Sequence, residues 1–158
     1  MRRPAERAAA AALLAALAAC TPTAAPRGPA PGDLVREVAL PPAEAQKRFL
    51  TVAGQNGLAV RPDGAVAGPA RPGSAVCPRV ETRIMGGDTA QRRAAELREV
   101  RVRVTPSFVE TPDGTRVSLA PVYIARMLDR LNYDDFEVYC RATGKLERAL
   151  LDALAAGG

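Results

Sequence analysis

The chain has no histidine. That single absence excludes Ser-His-Asp and Cys-His hydrolases and any zinc site built on imidazole. Cysteine is scarce, at three residues, and no Cys-x-x-Cys occurs, which leaves too few thiolates for a zinc or dithiol redox centre. Serine chemistry fares no better. Ser74, Ser107 and Ser118 lie in neither Gly-x-Ser-x-Gly nor Ser-x-x-Lys. Gly86-Gly87 lacks the lysine and the following helix of a phosphate-binding loop. Lysine is nearly missing too: Lys47 and Lys145 stand against twenty arginines. With so much alanine, this reads first as the codon bias of a GC-rich genome, not as an adaptation to anionic partners. Catalytic residues, a metal and a cofactor are therefore not expected.

What is present begins at the N-terminus. Arg2, Arg3 and Arg7 make a positive start, Ala8 to Ala19 form an apolar run, and Leu17-Ala18-Ala19-Cys20 closes it. The run is shorter than the about 20 residues that a membrane-spanning helix needs, and its length suits an export signal. The bland alternative is an alanine-rich helix that ends in cysteine. Charge, length, small residues and cysteine in this order favour the signal.

Leu17-Ala18-Ala19-Cys20 resembles the lipobox of bacterial lipoproteins. The resemblance implies cleavage before Cys20, a diacylglyceryl thioether on its sulfur and acylation of its amine. Several acyl chains, at about 0.8 kcal/mol per buried methylene, anchor a protein effectively permanently. Thr21 follows where an aspartate commonly retains Gram-negative lipoproteins in the inner membrane, so the resemblance implies an outer-membrane, periplasm-facing location.

If residues 1–19 are removed as a signal peptide, three arginines and one glutamate leave with them, and of the net +5 a mild +3 remains. Residues 20–33 then form the lipidated cysteine and a tether with Pro22, Pro26, Pro29 and Pro31, extended and semi-flexible. Residues 34–156 make one modest domain. With Cys20 taken by lipid, Cys77 and Cys140 remain, and beyond the cytoplasmic membrane two such thiols are expected to pair. In the chain-entropy treatment, closing the loop from residue 77 to 140 contributes about 4 kcal/mol, against a typical domain stability of about 5–15 kcal/mol.

The domain's pattern predicts a strand over 34–40, stopped by Pro41-Pro42, which also start a helix. Ala45, Phe49, Val52 and Ala53 share a face of that helix. A strand follows at 58–60, then a proline- and glycine-rich loop over 61–73. Residues 76–85 alternate as a strand, 86–88 break it, and 89–96 read as a polar loop or helical turn. Val100, Val102 and Val104 alternate with Arg101 and Arg103 in the clearest strand. Pro112-Asp113-Gly114 marks a hairpin turn before a strand at 116–120. In 121–131, Ile124, Met127, Leu128 and Leu131 fall at helical spacing and favour a short helix over a strand. Phe136, Val138 and Cys140 form a last strand, which would bring Cys140 beside the strand beginning at Cys77. A final helix carries Leu146, Ala149, Leu150, Ala153 and Leu154 as its apolar stripe.

This order predicts an α+β domain: one antiparallel sheet of about four to six strands with two or three helices packed on one face. In element order and anchor it distantly resembles the small α+β domains of outer-membrane accessory lipoproteins, including those of the β-barrel assembly machinery. No motif of the mature domain carries a functional residue across.

Three surfaces remain as candidates. Asp129, Asp134, Asp135 and Glu137 cluster, and paired acids can hold calcium or cleave glycosides. Asn132-Tyr133-Asp134-Asp135 reads better as a turn. Arg79, Arg83, Arg101 and Arg103 project from two strands. If those strands are neighbours, they form a basic patch for the phosphates of anionic lipid or lipopolysaccharide; otherwise they are a solvated face offset by Glu81, Glu96 and Glu99. Nucleic acid is not expected outside the cytoplasm. Tyr123, Tyr133 and Tyr139, the only tyrosines, suit either an interface with an envelope protein or part-buried sheet positions. The leading expectation is a non-catalytic, lipid-anchored envelope protein that acts through protein contact.

Overall fold

A computed structural model of the chain describes residues 34–84 and 91–156. Cys20 and the whole anchor and tether lie outside these residues, as does the predicted break at 86–88.

The first strand, β1 (Val35–Val38), leads through Pro41 into helix α1 (Pro42–Gln55). Pro41 sits in extended backbone, and its carbonyl accepts the amides of Glu44 and Ala45 at 3.0 and 2.9 Å. Pro42 can occupy the first turn because an amide there has no intrahelical partner. The helix ends in a Schellman arrangement: the Gly57 amide donates to Gly54 O and the Leu58 amide to Ala53 O. Gly57 supplies the positive φ this ending requires, at 78°.

The chain then forms β2 (Ala59–Val60), β3 (Val66–Pro69), β4 (Ala75–Val76), β5 (Glu81–Ile84), β6 (Gln91–Ala94), β7 (Glu96–Thr111), β8 (Gly114–Leu128), β9 (Asp135–Ala142) and helix α2 (Lys145–Ala156). Seven of these strands make one antiparallel sheet in the order β2-β3-β7-β8-β9-β4, with β1 also on β8. β1 pairs with residues 115–118 of β8 and β9 with residues 123–128, so the two divide one edge of that strand. β5 and β6 form a separate two-stranded ribbon.

The axis of the sheet is the β7–β8 hairpin, paired from Thr111↔Gly114 to Glu96↔Leu128. Its turn demands Gly114, at φ 142°. A Cβ there would lie 2.2 Å from Val38 O, so the hairpin tip and the end of β1 can meet only over glycine. Thr115, buried beside it, donates its hydroxyl to Leu40 O at 2.6 Å.

Alternate residues of the central strands are buried: Val102 and Val104 on β7, and Val117, Leu119, Tyr123, Ala125 and Met127 on β8. Most of these share one apolar cluster with Ala45, Phe49, Val52 and Ala53 of α1 and Leu146, Leu150, Leu151 and Leu154 of α2. Phe49 meets Phe108 edge to face, centroids 5.9 Å apart. Burying each such side chain contributes about 1.5–3 kcal/mol, so this cluster dominates the stability.

Several expectations change. The sheet has seven strands, because β3 emerges from the predicted loop where Ala67-Gly68-Pro69 carries no readable alternation. Gly68 is needed there, since a Cβ would lie 2.6 Å from Gly57 O. The segment 121–131 is no helix. Residues 121–128 continue β8, because Tyr123, Ala125 and Met127 are the buried set and the segment is paired on both edges. The predicted strand over 76–85 is two pieces around Pro78, and residues 91–94 of the predicted polar loop are β6. In α2, Ala149 and Ala153 are exposed; Glu147 and Leu151 are buried instead. The turn read at 132–135 sits earlier: residues 129–134 join β8 to β9 and Asp135 already begins β9, with the Leu131 amide and Asn132 Nδ2 both donating to the Asp129 carboxylate at 2.8 Å. Those bonds, the amide first, hold the Asp129 carboxyl below its ordinary range despite partial desolvation.

Candidate contact surface

The β4–β9 ladder pairs Ala75 with Ala142 and Val76 with Arg141, so Cys77 arrives beside Cys140. The two are joined in a disulfide, their Cα atoms 4.3 Å apart. On the other side of the same ladder the Thr143 amide donates to Ser74 O at 2.9 Å.

Strand parity decides which residues face outward. On β7 from Glu99 onward and on β9 the odd positions are exposed or nearly so, and on β8 the even ones. Register then lines up Pro69, Arg101, Ile124 and Tyr139 across four strands, with Ala67, Arg103 and Val122 alongside. Tyr139 is 78% exposed and Val122 43%. A groove of about 410 Å³ runs over this face, floored by Ala67, Pro69, Val122 and Ile124 and edged by Arg61, Arg101 and Arg103.

Most of the guanidiniums here meet carboxylates; Arg61 makes no ion pair among the described residues. Arg101 pairs with Glu99 at 2.9 Å, Arg116 with Glu37 at 2.8 Å, Arg103 with Asp63 and Arg126 with Asp135. Near the end of β8, Arg130 Nε donates to Glu96 at 2.8 Å. The Arg101 hydrogen bond holds the Glu99 carboxyl below its ordinary range, and Arg130 does the same for Glu96. In return, Glu99 raises the pKa of Arg101. A phosphate would have to displace these carboxylates.

The four arginines singled out from sequence do not share a face. Arg101 and Arg103 stand on β7, whose neighbours are β3 and β8; Arg83 is on β5, which among the described residues pairs only with β6, and Arg79 precedes it. The condition that their strands be neighbours is not met. The three tyrosines also part. Tyr123 is buried and donates to Glu147 Oε1 at 2.9 Å, while Tyr133 and Tyr139 are exposed. Burial first, and then the Glu147 charge, push the Tyr123 hydroxyl far above its ordinary pKa. Tyr133 also has a positive φ of 60°, a conformation that costs energy for any non-glycine residue.

The sequence reading missed Val122 and Ile124 as surface residues because it placed them in a helix. Their β-branching was the available signal. Among the described residues no three histidine, cysteine, aspartate or glutamate side chains gather as a metal site, and no helix is long and apolar enough to cross a membrane. Compared with protein-family models, with curated proteins and with solved structures, the chain matches none.

Proposed function

We propose that this chain is a non-catalytic lipoprotein of the bacterial envelope, held through Cys20 on the periplasmic side of the outer membrane, and that it works by binding another envelope protein. In this reading both helices cover one side of the sheet and leave the other to the partner. The observation that carries it is Tyr139, which stands out of the sheet beside Ile124 and Val122 while Arg101 and Arg103 are already paired. Exposed aromatic and aliphatic side chains ringed by arginine are the composition of an interface centre. Internal pairing of the arginines weighs against the alternative, binding of lipid phosphates at Arg101 and Arg103.

A photo-crosslinking residue at position 139, in cells, tests the face. One discrete protein adduct, lost when Ile124 is changed to Glu, is the expected result. Adducts no stronger than those from position 152 on α2 would sink the proposal. The anchor is tested separately: Cys20→Ala should release the protein from the membrane fraction, and unchanged fractionation would refute the lipoprotein reading.

A further inference from the structure

The inner side of the sheet is unevenly covered. Leu97 on β7 lies opposite Met127, which is only 4% exposed, yet Leu97 itself is 50% exposed. A register shift between Leu97 and Glu99 takes up Arg98 as an extra residue, the kind of bulge that redirects a strand's side chains. Here the cover comes from the β4–β5 connection and the base of the β5–β6 ribbon, where the Ala95 amide donates to Val80 O at 2.8 Å.

That cover leaves two clefts, of about 380 and 350 Å³, which have Cys77 and Leu97 in common. The first is walled by Val80, Ala94, Ala95 and Met127, the second by Ala70, Pro72, Ala75 and Val100. Each falls within the about 300–1,000 Å³ of small-molecule sites. Arg79 lines the first and Arg71 the second, and Lys145 Nζ sits beside Gly73 in the second. Among the described residues none of these three cations has an ion-pair partner, and Glu81 is the only carboxylate in either lining. An apolar trough with unpaired cations at its rim is complementary to an acyl chain with an anionic head.

We propose that this trough binds one monomeric long-chain lipid anion, its acyl chain lying past Leu97 and its head against Arg79. Arg83, Arg92 and Arg93 on the ribbon, which likewise make no ion pair among the described residues, add to the field at that end. This site is independent of the Tyr139 face.

The test is calorimetric titration of the full chain with hexadecanoate, dodecanoate and hexadecanol. Saturable one-to-one binding of hexadecanoate is expected. Losing four methylenes should weaken it at least about tenfold, and hexadecanol should also bind more weakly. Leu97→Asp, at a half-exposed position that folding tolerates, should cut hexadecanoate affinity by roughly tenfold or more by placing a charge among apolar walls. Arg79→Glu should weaken hexadecanoate but not hexadecanol, and Arg101→Glu should change neither. No saturable binding, chain-length independence, or full affinity in Leu97→Asp would overturn the proposal. So would binding only to phosphatidylglycerol vesicles that Leu97→Asp leaves intact, since that would place the contact on the ribbon surface. The position 139 crosslinks should be unaffected by Leu97→Asp and Arg79→Glu, which separates this failure from failure of the proposed contact face.

Discussion

Arg101, Arg103, Arg116 and Arg126 of the main sheet each reach a carboxylate, whereas Arg83 and Arg92 of the β5–β6 ribbon face one another. Arg101 has Glu99, Arg103 has Asp63 and Arg126 has Asp135. On the ribbon, Arg83 lies directly across from Arg92, and neither makes an ion pair among the described residues. Like charges opposed on neighbouring strands are destabilising. The same residue type is thus offset within the chain in one region and left as a concentrated positive field in the other. Composition treats all twenty arginines alike; only register separates a neutralised surface from one that attracts anions.

The largest effect should come from the bond that ties the ribbon's approach to the main sheet. Cys77→Ser with Cys140→Ser is expected to lower stability by about 4 kcal/mol in the chain-entropy treatment, read by urea unfolding. Limited proteolysis should then cut first between residues 71 and 95, with β7 and β8 spared. A loss below 1 kcal/mol, or equal cleavage in both regions, would mean that the ribbon side does not depend on this staple.

Next in size is the buried hydroxyl near that bond. Glu147 is fully buried, and among the described residues its Oε2 has no partner and its one hydrogen bond comes from Tyr123. Tyr123→Phe removes that donor and is expected to destabilise the fold by about 1–3 kcal/mol. Restoration of stability in Tyr123→Phe with Glu147→Leu would confirm the cause, since an apolar pair leaves no orphaned oxygen. A double variant no more stable than the single would assign the loss to packing.

Smaller still, the two arginine sets should respond with opposite sign. Arg92→Glu replaces a like-charge pair by an attractive one and should stabilise the chain by about 0.2–1 kcal/mol, whereas Arg101→Ala should destabilise it slightly. Equal signs in thermal unfolding would erase the contrast between the regions.

Acid should weaken the paired region. Glu96 and Glu99 have pKa values below the ordinary 4.5, held there by Arg130 and Arg101. Their contribution is complete above pH 4.5 and disappears as pH falls through the lowered values. The Glu96→Gln and Glu99→Gln variants should therefore lose less stability than the parent between pH 4.5 and pH 2. Superimposable acid profiles would show that these pairs are inert.

The elements legible in sequence were those whose pattern has a single reading. Val100, Val102 and Val104 alternate with arginine, and Phe49 and Val52 repeat at helical spacing; both segments form as expected. Cys77 and Cys140 were legible as a pair by counting, and the β4–β9 register supplies the geometry. Residues 121–131 misled because Ile124, Met127 and Leu128 satisfy the helical period, while the buried set Tyr123, Ala125 and Met127 satisfies the strand period just as well. Eight residues of β7 and six of β9 pair with residues 121–128 and decided between them, and partner strands are not local information. The candidate surface was hidden for a related reason. Tyr123 points inward and Tyr139 outward because Tyr123 falls opposite Cys140, and a slip of one residue between β8 and β9 would put both on the same face.

The Cys77–Cys140 bond also makes a covalent ring of everything from the ribbon through the long hairpin to most of β9, and both helices lie outside that ring. α1 and α2 are joined to the sheet by side-chain packing, by the Tyr123–Glu147 hydrogen bond and the Arg36–Asp152 pair of α2, and by their flanking chain. Fluctuations that lift a helix away leave the ring closed and its strands in register. Amide protons of α1 and α2 should therefore exchange with solvent through partial openings, while those of Val102, Val117 and Tyr123 wait for the ring itself to melt.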